Sequence, residues 1–390
     1  VASLNDWALD PELVFLNHGS FGAVPTAVLD YQRALVDHME SNPVRFIYLH
    51  LPELLAAARE RAAAFVGADP DDFAFVPNAT TGTNALLRSA PIEAGDEILV
   101  TDHGYEACTL AAEHIASRRG ATVGFARIPV PVESPDQVRQ AILDAVTPRT
   151  RWAIIDHITS PTALVLPVRQ IVRDLADRGV RTIVDGAHAP GQVALDVSDI
   201  GAAAYTGNWH KWTSAPKGSG FVWVSPDWRE EVRPLVISHG AGHRGSDGER
   251  FRATFDWTGT GDFTPYLSVP TALDVVGGMF PGGWPAIGAR NHDVVIGMRD
   301  RLVEAFDLEA AGPESMTGSM VSMRVLDRWR RSPDPAQAAR EFLRVLDLEH
   351  GVTVGVATRR NTDDVLFRIS AHLHTEVDAV ERLIGALRTL

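Results

Sequence analysis

The chain reads as an α/β protein with a large domain on a mostly parallel sheet, residues 1–285, and a smaller α+β domain, residues 286–390. Three features carry that reading. Short β-branched or aromatic segments alternate with helical stretches through the first part, and strands joined by helical crossovers lie parallel in a sheet covered on both faces. After Pro285 the pattern changes to one long amphipathic stretch, 286–306, followed by widely spaced strands. The length, 390 residues, exceeds one ordinary domain of about 150.

Strands are expected at 14–16, 72–76, 98–102, 122–128, 153–157, 182–185, 203–206 and 220–224, with helices at 52–66, 106–117, 135–146 and 168–178 among them. Ser134-Pro135-Asp136-Gln137 is a helix start, with Ser as cap, Pro in the first turn and Gln three residues after the cap. The smaller domain continues with a strand at 320–325, a helix at 335–350, a strand at 365–370 and a helix at 376–390 capped by Thr375. Residues 238–248, rich in Gly and His, are expected to form a mobile loop. In sheets of this kind a ligand sits beyond the carboxyl ends of the strands, so the residues just after each strand matter most.

Composition removes several classes. Thirty-six basic against 50 acidic residues leave −14, which repels phosphate backbones and argues against a nucleic-acid partner. No apolar run reaches the ~20 residues needed to span a bilayer, so no membrane role is expected. Residues 1–10 carry Asp6 and Asp10 and no basic-then-apolar leader pattern, and the absent initiator Met suggests trimming. A single cysteine cannot form an internal disulfide, which points to a reducing cytoplasm.

Three segments offer chemistry. Lys211, in Asn208-Trp209-His210-Lys211-Trp212, follows an apolar strand and is flanked by aromatic rings; desolvation there lowers an amine's pKa and makes it nucleophilic towards carbonyls. Asp185 ends the apolar strand Thr182-Ile183-Val184-Asp185, where a carboxylate needs a cation or strong donor. Asn78-Ala79-Thr80-Thr81-Gly82-Thr83-Asn84 opens a helix with small hydroxyl residues, an anion site suited to phosphate. Taken singly, each has a plain structural reading: a lysine stem laid over rings, a cap or a partner for His188, and an ordinary Asn cap. Together, a lysine, a buried acid and a phosphate cup at strand-to-helix junctions are what pyridoxal phosphate requires, for its aldehyde, ring nitrogen and phosphate respectively.

These residues, with Phe15-Leu16-Asn17-His18-Gly19-Ser20-Phe21-Gly22, Asp102-His103-Gly104-Tyr105-Glu106-Ala107, Asp185-Gly186-Ala187-His188 and Thr258-Gly259-Thr260-Gly261-Asp262, form an ordered set spanning nearly the whole chain. The chain resembles the class V aminotransferase family of fold-type I pyridoxal phosphate enzymes, most closely its isopenicillin N epimerase-like branch. The resemblance implies that Lys211 takes the cofactor's aldehyde and then moves the Cα proton, and that Asp185 keeps the pyridine nitrogen protonated. It places His188 and Ser160 near the ring's O3′, although relatives often carry Asn or Gln where Ser160 stands. Thr80, Thr81, Asn208 and His210 become phosphate ligands, joined by Thr260 from a second subunit, which implies a homodimer with shared sites. Tyr105, rather than His103, is expected to stack on the ring, and Arg368 to clamp the substrate carboxylate. Asn17, His18 and Arg45, from an N-terminal segment 1–50, are expected to line the entrance, with Arg45 equally suited to a distal substrate carboxylate or to a surface ion pair.

The resemblance implies an amino-acid substrate but leaves the outcome open among epimerisation, β-elimination of the C–S lyase kind and transamination, with a non-catalytic scaffold as a further alternative. Epimerisation needs a second acid-base group facing Lys211, with Tyr105, His18, His239 and His243 as candidates. Sulfur transfer through a persulfide is argued down, because residues 355–362 contain no cysteine and Cys108 reads as a buried core thiol. No GxGxxG turn supports a nicotinamide enzyme. No metal is expected either: His372-Leu373-His374 reads as a solvated strand end with no third ligand beside it.

Overall fold

The computed structural model describes residues 6–360 and 362–390, so half of the segment read for a leader lies outside them. Twelve strands are present among them: β1 (Val14–Phe15), β2 (Phe73–Val76), β3 (Glu97–Thr101), β4 (Thr122–Ala126), β5 (Thr150–Asp156), β6 (Arg181–Gly186), β7 (Ala204–Asn208), β8 (Gly220–Val224), β9 (Met320–Arg324), β10 (Val352–Thr353), β11 (Gly355–Thr358) and β12 (Val365–Ser370). Seven form the main sheet in the order β2-β8-β7-β6-β5-β3-β4. Its pairs are parallel except for β8, which runs antiparallel to both β2 and β7. Strands β5 to β8 are buried nearly throughout, as expected where helices cover both faces. One core, containing Leu99, Ile155, Val184 and Phe221, fills one face; a second, containing Val100, Ile154, Ile183 and Val222, fills the other.

The smaller unit is an antiparallel sheet, β11-β12-β9, packed with the helices Gly283–Phe306, Pro335–His350 and Val380–Leu387 around Val295, Phe342, Phe367 and Leu383. The N-terminal segment joins it, because β1 pairs in parallel with β10 and Leu16 is part of that core. The long helix begins at Gly283, so it crosses the junction placed at residue 285.

Several local expectations change. Thr375 does not cap the last helix: its hydroxyl lies against the His372 N–H and His374, and a short turn, Val377–Ala379, precedes the helix at Val380. The segment at 238–248 contains a turn, His239–Gly242, and then a capping box, in which Ser246 and Glu249 satisfy each other's N–H at the start of the helix Asp247–Asp256. Ser134 caps its helix as the sequence indicates, accepting from Gln137 N–H at 3.2 Å. Among the described residues no helix is long and apolar enough to cross a membrane.

Candidate active site

The carboxyl ends of β5, β6 and β7 meet the N-terminus of the helix Ala79–Ser89 at a cavity of about 390 Å³. Ser20, Thr80, Tyr105, Ser160, Asp185, His188, Asn208, His210, Lys211 and Arg368 line it. Asp156 and Lys217 line it too, and the sequence reading passed over both.

Lys211 is placed by a rigid turn after β7. Trp209 and Trp212 on either side are fully buried, and Gly22 N–H donates to the His210 carbonyl at 3.0 Å. A Cβ at Gly22 would sit 2.2 Å from the Lys211 carbonyl oxygen, so this close approach requires glycine. Lys211 Nζ is 3.0 Å from His188 Nε2, while Trp212 Nε1–H donates to His188 Nδ1 at 3.3 Å. That donation leaves the proton of a neutral His188 on Nε2, where it can be given only to an uncharged lysine amine. Burial, with Arg368 adding, brings the Lys211 amine down to about 7, and the same two influences hold His188 well below the ordinary histidine value with Lys211.

At the other side of the cavity Asp185 accepts the Ala187 N–H at 3.0 Å on one oxygen and the Cys108 thiol at 3.1 Å on the other. Cys108 is therefore buried, as expected, but it is also a partner of the strand-end acid. Burial first, then Asp185, pushes its thiol well up and keeps it protonated. Asp156 lies opposite Asp185 in the β5–β6 register and accepts the Tyr105 N–H at 3.3 Å. Burial and the neighbouring Asp185 raise its carboxyl well above the usual range. Its signal was present in the sequence, since it too ends an apolar strand.

Asn78 caps the Ala79–Ser89 helix by accepting both the N–H and the hydroxyl of Thr81, at 2.8 and 3.0 Å. Thr81 thus supports the cap and does not line the cavity, whereas Thr80 does. Ala79 N–H donates to Asn208 Oδ1 at 2.9 Å, and His210 donates Nδ1–H to the Ser219 carbonyl at 2.8 Å. An amine, a carboxylate and a helix N-terminus with Asn, His and Lys217 around one cavity fit pyridoxal 5′-phosphate in size and chemistry.

Arg368 is buried. Its Nη1 donates to the Ser160 carbonyl at 2.6 Å and to Ser160 Oγ at 3.2 Å, and its Nη2 donates to Ser20 Oγ at 3.0 Å. Burial lowers it to about 10, no carboxylate pairs with it among the described residues, and its Nε is buried without a hydrogen-bond partner. Asn17 stands behind, accepting from Ser20 and donating to the Val354 carbonyl.

The fold does not bring the remaining candidates to the cavity. His103 is buried between Thr162 and the Ile128 carbonyl. Arg45, His239, His243 and Thr260 are exposed. His18 is buried beneath the Lys211 turn, and here the reading of His372 and His374 needs correction. They are not a solvated strand end: ring nitrogens of His18, His372 and His374 lie within 4.8 Å of one another, with His18 and His372 buried and His374 half-buried. His18 Nε2–H donates to the Lys211 carbonyl at 3.1 Å, and His372 Nε2–H to the Trp212 carbonyl at 3.1 Å. Nδ1 of His18 then carries a lone pair and accepts His374 Nε2–H at 3.1 Å. The His18 and His372 rings stack at 4.0 Å with 12° between planes. Two imidazoles that hold one ion at about 2.0–2.1 Å must aim their lone pairs at a common point, which face-to-face rings do not do. The cluster is a hydrogen-bonded clamp on the Lys211–Trp212 backbone.

The sequence matches the class V aminotransferase family over residues 14–251. The isopenicillin N epimerase of Amycolatopsis lactamdurans is 34% identical over 401 residues, covering 98% of this chain and 96% of that protein. The chain belongs to the class V aminotransferase family. Within it, a putative L-cysteine desulfhydrase of Oryza sativa subsp. japonica is 34% identical over 323 residues, 78% of this chain and 66% of that one. A solved cystine C–S lyase, in complex with its product cysteine persulfide, shares the fold, with a TM-score of 0.81 at 23% identity over 97% of both chains. Pyridoxal 5′-phosphate, this family's cofactor, is thus also the group that the cavity residues fit.

Proposed function

We propose that this family member removes the Cα proton of an amino-acid substrate and returns it with inversion, in the manner of an isopenicillin N epimerase. The observation that carries this reading is a lysine amine poised near neutrality by burial and held by His188, in a cavity that also contains a strand-end acid, a phosphate cup and a buried arginine without a carboxylate. When bound, the cofactor supplies the electron sink that makes a Cα proton removable. Lys211 would hold the cofactor at its aldehyde end and would carry that proton, work suited to an amine titrating near 7. Asp185, held by Ala187 and Cys108, would keep the pyridine nitrogen protonated. His188 would orient Lys211. Thr80, Asn208 and His210 would hold the phosphate, with Thr81 supporting them through Asn78, and Tyr105 would cover the ring. Arg368 holds the substrate carboxylate against Ser20 and Ser160.

Inversion needs a second protic group, and of the four candidates only Tyr105 lines the cavity. Burial first, then Cys108 and Asp185, raises its phenol, so it stays protonated at neutral pH and able to donate. β-Elimination from a cysteine-derived substrate is the second reading, because it needs no such group and desulfhydrases stand among the relatives. A panel of amino acids in deuterated water separates the two. Deuterium at an inverted Cα supports epimerisation, release of pyruvate and ammonia supports elimination, and substrate-dependent conversion of the cofactor to its amine form supports transamination. Lys211→Ala is expected to abolish all of them; turnover retained in that variant rejects the assignment.

Thr260 is exposed on the single chain, which suits its donation to a second copy's phosphate in a homodimer. Sedimentation should show a dimer, and a monomer that binds cofactor with undiminished affinity rejects the shared site.

A further inference from the structure

We propose that Asp156 is a positioning residue of the Lys211 cavity, which holds the one proton of an Asp156–Asp185 pair and donates it in a hydrogen bond to the Asp185 carboxylate. This inference rests on the reading of the cavity as a pyridoxal phosphate site, and it gives a task to a buried acid that the proposed chemistry leaves unused. Asp156 is the last residue of β5, and Asp185 is its partner in the parallel ladder with β6. Adjacent strands lie about 4.8 Å apart, and register partners send their side chains to the same face. Both residues are buried and both line the cavity.

The two carboxyls are unequally supplied with donors. Asp185 accepts the Ala187 N–H at 3.0 Å on Oδ1 and the Cys108 thiol at 3.1 Å on Oδ2. Asp156 accepts one bond from another residue, the Tyr105 N–H at 3.3 Å on Oδ1. Among the described residues its Oδ2 has no such partner, and it is not shielded, so it opens on the cavity. Two carboxylates side by side in a buried site do not both stay ionised, and the proton goes to the one with fewer donors. The other groups around the pair leave that outcome unchanged. Lys211 faces it from the turn after β7 but is itself brought down to about 7, and Cys108, from the helix Glu106–Arg119, is a protonated thiol. Burial first, then Asp185, raises the Asp156 carboxyl, in agreement. A thiol is a weak donor, so Asp185 has room for a stronger one. With the proton on Asp156, Asp185 keeps the single negative charge that a protonated ring nitrogen would balance.

Wild type, Asp156→Asn and Asp156→Leu test this through two readouts: affinity for pyridoxal phosphate, and the pH midpoint at which the bound cofactor's visible absorbance changes. Asparagine is neutral, accepts from the Tyr105 N–H and donates to Asp185, as the protonated acid does; leucine fills the space and does neither. Asp156→Asn should therefore bind the cofactor within about twofold of wild type and move the midpoint by less than about 0.3 pH units. Asp156→Leu should weaken binding by about tenfold or more, the worth of a hydrogen bond to a charged group. A midpoint that falls by about one unit or more in Asp156→Asn shows that a negative charge was removed, and overturns the pair even where the leucine variant fails to fold. Wild-type behaviour of Asp156→Leu, or equal loss of affinity in both variants, overturns it as well. Wild type that binds no pyridoxal phosphate overturns the Lys211 reading, and the pair with it.

Discussion

Lys211 shows how one residue's surroundings set its chemistry. Five influences act on its amine, and they do not agree in sign: burial and Arg368 lower its proton affinity, while Asp185, Cys108 and Asp156 raise it. Burial dominates, because moving an ammonium out of water is penalised more than acids across the cavity repay. The result, about 7, agrees with the His188 tautomer, which asks Lys211 for a lone pair rather than a proton. The consequence is measurable in cofactor-free protein. The rate at which Lys211 takes up pyridoxal phosphate should rise about tenfold per pH unit below 7 and level off above it, since only the neutral amine is nucleophilic. An ordinary lysine titrates near 10.4 and would keep climbing past pH 9. A profile of that second kind rejects the buried, neutral-poised amine.

At the scale of elements, the site was legible wherever the signal lies within one strand and its following turn. Asp185, Asn78 and Lys211 all stand at strand ends that hydropathy alone marks. Adjacency was not legible: Asp156 matters because β5 lies beside β6, and His18 meets His374 across 356 residues of sequence, so nothing local announces either meeting. The same limit concealed Arg359. This residue, beyond β11, donates to Asp102 at 3.0 Å and to the Ile128 carbonyl at 2.9 Å, and also pairs with Asp364. It ties the smaller unit to the turn that leads from β3 to Tyr105. Removing Arg359 leaves the buried Asp102 carboxylate with only the exposed Arg127 as a cation, at 4.0 Å, whereas removing Asp102 leaves Arg359 paired with Asp364. Arg359→Met should therefore cost about 3–5 kcal/mol in denaturant unfolding, and adding Asp102→Leu should recover much of the loss. A loss below about 1 kcal/mol, the range of exposed pairs, would show that the tie does not hold the units together.

The whole molecule carries an unusual number of histidines buried in the neutral state, and together they set its response to acid. Burial holds His103, His157, His210 and His372 at about 4 and His374 at about 3, and holds His18 and His188 well below their ordinary value. A histidine freed by unfolding takes a proton near pH 6.5, so below that point the unfolded chain binds more protons than the folded one and stability falls with pH. The stabilising difference is fully present above about 6.5 and is lost as pH descends towards the folded values near 4. Each group contributes a slope of up to about 1.4 kcal/mol per pH unit in that window. Three acting independently over two units remove about 8 kcal/mol, which is comparable with the 5–15 kcal/mol that holds a typical domain together. The protein should therefore lose melting temperature steeply between pH 6.5 and 4.5, before most carboxylates titrate. Replacing His372 and His374, which clamp the Lys211 turn from the smaller unit, by Gln should make that decline shallower even where it lowers stability at pH 8. Thermal unfolding across this range decides the matter: a melting temperature flat from pH 7 to 5 means that these rings are not neutral and buried in solution.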